Sequence, residues 1–204
     1  INKIGTSGNP IIIEAYGNEE VTIDGTVDIT GSWTSHGNGI YKLSSYSTNI
    51  TQLFVDSEPM VNARWPNAQF NDDSVFSHST WAQGDENTLS DTSDPNYVND
   101  RSIDGSLQID EDVFDPGVGG IGNSALDLNG SIGILNIGSF KTWTVEITGH
   151  TQNASSDDVI TYDTSDIDTY KDKHHYYFFE GKLSFLDTNN EWFHDKSENT
   201  LYLY

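Results

Sequence analysis

The chain has 204 residues and no cysteine. That excludes a disulfide framework, a thiolate metal centre and a cysteine nucleophile, and it leaves the redox compartment unspecified. Cations are scarce: nine Lys plus Arg stand against 32 Asp plus Glu, a net charge of −23. Such a surface repels phosphate backbones, which excludes nucleic acid as a main partner. It equally disfavours an anionic membrane surface. No apolar run approaches the roughly 18–20 residues that a membrane span needs, so no membrane insertion is expected. Helical periodicity is also missing, since no long segment carries apolar residues at i, i+3, i+4 and i+7.

What is abundant is aromatic. Nine Phe, ten Tyr and five Trp sit in patterned runs with Val, Ile and Leu. The acidity and a mean hydropathy of −0.53 lean toward disorder, but the aromatic runs outweigh them. The expectation is a folded β-rich domain with an acidic skin. Excess Asp with little Lys suits a secreted protein in salty water or one that binds cations; plain solubility is the simpler account.

Strand signals are dense. Ile11–Ala15, Glu20–Gly25, Val27–Gly31 and Gly39–Leu43 are short apolar or alternating runs broken by Gly or Asn. That cadence fits stacked β-coils, each burying an inward Ile, Val or Leu against the next, and it fits a flat sandwich as well. Thr51–Asp56 and Met60–Trp65 flank Ser57-Glu58-Pro59 and read as a hairpin with Pro in the turn. Residues 66–124 are mostly polar and read as a long ordered excursion, with a weak helical signal near 86–100. The β cadence resumes at Ser131–Ile137, Thr142–Thr148, Val159–Tyr162 and Tyr176–Glu180. Glu191–Asp195 and Thr200–Tyr204 flank a turn and form a second hairpin. Residue 1 is Ile, and Leu201–Tyr204 reads as an unfinished strand. The expectation is a piece of a longer chain.

Four stretches together resemble one family. They are Gly8–Ala15 with Val21–Thr26, Gln52–Asp56 with Ala63-Arg64-Trp65-Pro66-Asn67, Leu135–Phe140, and Leu183–Asp187 with Glu191–Lys196 and Thr200–Tyr202. They look like the N-terminal part of secreted right-handed parallel β-helix proteins of the polysaccharide-degrading type, a group of glycoside hydrolases and polysaccharide lyases. The Ala-Arg-Trp-Pro-Asn and Glu-Trp-Phe-His-Asp blocks are the specific parts. The resemblance implies an all-β fold: residues 1–204 as the first coils of one parallel β-helix, interrupted by hairpins and by the irregular insertion at about 66–124. A β-sandwich is the alternative. It implies a secreted or cell-surface segment of a protein that hydrolyses or β-eliminates glycosidic bonds in extracellular polysaccharide. In that family the active site usually lies on later coils, so this segment alone is expected to be inactive. The competing reading is a structural or adhesive β-helix module that packs against its own parent chain or self-assembles in a surface fibre.

Candidate chemistry is thin. Arg64, one of two arginines, is a scarce planar donor suited to a uronate or sulfate; the plainer role is an internal ion pair tying the hairpin to the excursion. Trp65 beside it suits a sugar face or the core. His150, His174 and His175 are candidates for acid–base or glycan contacts, since an unperturbed imidazole titrates near neutrality. Adjacent His174 and His175 point to opposite faces of a strand. Asp163, Asp166 and Asp168 cluster as Ca²⁺ ligands would, without the spacing of an EF-hand loop; in β-helix lyases such a Ca²⁺ neutralises a uronate. Asp110, Glu111, Asp112 and Asp115 form a second acidic cluster, and solvated charge accounts for both. Asn49, Asn129 and Asn153 begin glycosylation sequons.

Overall fold

The structure is a computed structural model. It describes residues 4–22, 24–83, 106–109, 126–138, 141–151, 158–163, 165 and 172–204. For residues 78, 83, 106–109, 137, 138, 158, 159 and 172–175 the backbone alone is described. The chain divides into two compact units, Ile1–Gly31 and Ser32–Tyr204.

In the first unit the expected strands at 11–15, 20–25 and 27–31 do not form among the described residues. One isolated bridge joins Thr6 to Asn9, and Ile4, Ile11, Ile12, Ile13, Tyr16, Val21 and Val27 are exposed. Alternating apolar residues supply a strand's face, but a ladder needs a neighbour to accept its N–H groups.

The second unit is all-β, in two open sheets packed in a sandwich-like way. The first sheet has the order β1 (Thr34–Gly37), β2 (Ile40–Ser44), β13 (Thr200–Leu203), β12 (Glu191–Asp195), β4 (Glu58–Asn62), β3 (Leu53–Val55). The second has β5 (Arg64–Trp65), β11 (Asp172–Glu180), β8 (Ile132–Gly138), β9 (Lys141–Thr151), β10 (Asp158–Tyr162) and β7 (Ser106–Ile109), with β6 (Ala82–Gln83) also on β11. Among the described residues one pairing is parallel, β12 with β4, and the other ten are antiparallel. A stack of parallel coils is therefore not what these residues show, and the sandwich alternative describes them better. Short turns account for the hairpin pairs β1–β2, β3–β4 and β12–β13, because a tight turn can only return the chain antiparallel.

Asn38-Gly39, with φ of 52° and 87°, makes the β1–β2 turn. Asp56 and Ser57, with φ of 51° and 70°, make the β3–β4 turn. Pro59 is thus inside β4 rather than in the turn, and it is tolerated because pairing of β4 with β12 starts only at Val61. The second hairpin forms as read, with Trp192 opposite Leu203. Its β13 is paired on both sides, to β12 and β2. Within the excursion, residues 66–83 hold two 3₁₀ turns (Ser74–Phe76, His78–Thr80) and β6. The helical signal near 86–100 lies outside the described residues.

One hydrophobic cluster joins the sheets: Leu135, Ile147, Ile160, Tyr177 and Phe179 meet Ile40, Phe185, Leu186 and Tyr202. Ala63 is the hinge between them. Its N–H donates to the Trp192 carbonyl (2.7 Å) and its carbonyl accepts from Gly181 N–H (3.1 Å). Gly133 lies under this core, where an added Cβ would stand 2.9 Å from Ile147 Cδ1 and 3.3 Å from Leu135 Cδ2. Gly133→Ala is expected to cost about 1–3 kcal/mol by overpacking, read as a lower urea midpoint with an unchanged slope.

Candidate functional site

The outward face of the second sheet, as the described residues form it, is built by strand alternation. On β8 and β11, Gly133, Leu135, Tyr177 and Phe179 are buried while Ile132, Ile134, Asn136, Tyr176, Phe178 and Glu180 are half-buried. On β9 the matching residues Thr142, Thr144 and Glu146 are exposed. Register sets them in rows: Glu180–Ile132–Glu146, then Phe178–Ile134–Thr144, then Tyr176–Asn136. Asn136 Nδ2 extends the last row by donating to Thr142 Oγ1 (2.9 Å). Three positions two residues apart, on three strands, make a surface of about 13 by 10 Å. Its aromatic rings, hydroxyls, amide and carboxylates are the groups that hold a hydroxyl-rich ligand.

Arg64 closes one end, opposite Glu180 on β11. It is 4% exposed. Nε donates to the Pro66 carbonyl (2.8 Å) and Nη2 to the Thr80 carbonyl (3.1 Å). The guanidinium lies 3.8 Å from the Phe178 ring centroid, and Trp81 meets that ring edge-on at 4.7 Å. Burial pushes the Arg64 group down to about 10, against the pull of Glu180 and Glu191; it stays charged at neutral pH. Burial likewise raises Glu180, opposed by Arg64 and the Asn62 amide.

Behind this corner is Glu191, fully buried. Arg64 N–H reaches its Oε1 and Asp187 N–H its Oε2, each at 3.4 Å. Bonds this long compensate little for lost water. Burial, with the Asp187 carboxylate adding, pushes Glu191 up to about 8; the N–H groups of Arg64, Asp187 and Thr188 oppose it.

The residues singled out in the sequence are scattered. Arg64 does tie the hairpin to the excursion, among the described residues through hydrogen bonds to the Pro66 and Thr80 carbonyls. Trp65 is half-buried and stacks on Phe179, rings 6.3 Å apart and 18° from parallel. His150 Nδ1 accepts from Leu128 N–H (3.2 Å), which leaves the proton of the neutral ring on Nε2. His174 and His175 lie in β11, and their side chains fall outside the described part. Asp163 Oδ1 accepts from Ser165 N–H (2.8 Å) in a local turn. Asp166, Asp168, Asn153 and the 110–115 acidic cluster lie outside the described residues. Asn49 and Asn129 are exposed. Among the described residues no three His, Asp or Glu side chains gather as a metal site would require, and no helix is long and apolar enough to cross a membrane. Tyr176, Phe178 and Glu146 were missed in the sequence. The alternation of Tyr176–Glu180 marks two faces, but nothing in it says which one is buried.

No family model matches this chain, and no curated protein matches it. One solved structure, named glycoside hydrolase, is similar over 85% of this chain at 13% identity, with a TM-score of 0.48. The match covers 27% of that structure's chain, about a quarter of its length.

Proposed function

We propose that this chain is a segment of a secreted protein that acts on extracellular polysaccharide, and that it contributes glycan binding through the outward face of the second sheet. One observation carries the reading: Tyr176 shares that face with Asn136, Thr142, Thr144 and Glu146, in register across three strands. An aromatic ring that packs on C–H faces, bordered by hydroxyl, amide and carboxylate groups, matches a pyranose chain in both its apolar and polar aspects. The acidic surface and the sequence resemblance support secretion and a polysaccharide substrate. The exposed Ile and Val residues of the first unit support the finer proposal, that residues 1–31 belong to a β-helix whose remaining coils would cover them.

Affinity electrophoresis of the 204-residue chain in gels holding soluble polysaccharides tests this. Retardation by at least one polysaccharide is expected, weakened about tenfold by Tyr176→Ala, the equivalent of about 1.4 kcal/mol. Migration unchanged by every polysaccharide, with folding confirmed by circular dichroism, would defeat the proposal. The same exposed residues also favour a second reading, a non-catalytic adhesive module. Glycan retardation of a parent protein that releases no sugar from those polysaccharides would select it.

A further inference from the structure

We infer that the glycan taken by this face is uncharged, a neutral hydroxyl-rich chain rather than a uronate-containing or sulfated one. This rests on the binding reading above and narrows it. An anionic polysaccharide needs cationic donors pointing at it, and bidentate arginine is the best of these. The arginine beside this face is spent. Arg64 is 4% exposed, its Nε and Nη2 are held by the Pro66 and Thr80 carbonyls, and its plane lies against Phe178. Between it and the outward surface stands Glu180, and the same row ends on Glu146, exposed on β9. An arriving carboxylate or sulfate would meet two carboxylates, with no exposed guanidinium among the described residues to offset them. A hydroxyl group, by contrast, donates to those carboxylates and exchanges hydrogen bonds with Thr144 and with Asn136. The net charge of −23 adds a long-range field of the same sign.

The test separates the local effect from that field. The chain is run at 0.15 M and 0.5 M NaCl in gels of galactomannan, xyloglucan or mixed-linkage β-glucan, and in gels of alginate, polygalacturonate or a sulfated galactan. Retardation is expected in at least one neutral gel and in none of the anionic ones, and Tyr176→Ala should weaken it about tenfold. Glu146→Lys should gain retardation by polygalacturonate at least fivefold over Glu58→Lys, which makes the same charge change on exposed β4. Tighter retention by an anionic gel, lost in Tyr176→Ala, would overturn the inference and leave glycan binding standing. Equal behaviour of the two Lys variants would also overturn it. Retention indifferent to Tyr176→Ala, or absent from every gel, would overturn the binding reading itself.

Discussion

Arg64→Ala is expected to lose about 3–5 kcal/mol of stability, read as the shift in urea midpoint at constant slope. Three losses combine. The Pro66 and Thr80 carbonyls give up their charged donor. A gap opens against Phe178, whose ring the guanidinium covers at 3.8 Å. The Glu180 carboxylate loses the cation that attracts it. Arg64→Lys should recover less than half, because one ammonium on a flexible stem cannot replace a planar fork that bonds two carbonyls while lying on a ring. A ligand-facing arginine behaves in the opposite way. If Arg64→Ala moves the midpoint by less than about 1 kcal/mol while polysaccharide retention collapses, Arg64 is a glycan contact and its structural role is refuted.

Stability should fall as pH rises from about 5 to about 9, and Glu191 should be a main cause. Its carboxyl titrates near 4.5 when unfolded and is pushed up to about 8 in the fold. The folded state therefore binds the proton more tightly. The stabilisation is fully present below about 4.5 and is lost as pH climbs through about 8. At about 1.4 kcal/mol per pH unit, that interval sets an upper bound of about 5 kcal/mol. Glu180, raised by the same burial, adds in the same direction. Exposed Asp72 and Asp127 and half-buried Asp195 lie below the usual carboxylate range, held there by turn hydrogen bonds. Their contribution runs the other way, lost as pH falls below about 4. Stability is thus expected to peak on the acid side of neutral. Glu191→Gln isolates the buried group, since it keeps an acceptor for the Arg64 and Asp187 N–H groups and cannot ionise. Between pH 5 and 9 the variant should gain on the wild type by about 2–5 kcal/mol in chemical denaturation. Parallel curves would show that Glu191 does not ionise differently in the fold.

These two residues also show how far the sequence reaches. Arg64 stood out because arginine is rare in this chain, and a role inside the fold was one of two readings. Glu191 did not stand out. In Glu-Trp-Phe-His-Asp it looks like one acid among 32, and only the parallel pairing of β12 with β4 brings it beneath Arg64. Likewise, Thr142–Thr148 and Tyr176–Glu180 announced themselves as strands by period-two alternation. Alternation has two faces, and the sheet partner decides which is buried. Leu135 and Trp143 opposite each other, and Phe179 opposite Gly133, made the inward face.

By itself the sequence determined that this is an all-β, strongly acidic chain and that its last two strands form a hairpin. Each follows from local pattern or from total charge, which need no knowledge of distant neighbours. The tertiary structure alone decided how strands distant in sequence pair, which face of β8, β9 and β11 is buried, and the burial of Arg64 and Glu191. Those depend on contacts between residues far apart in the chain, from Phe179 opposite Gly133 to Arg64 N–H with Glu191, and short-range periodicity carries no record of such contacts.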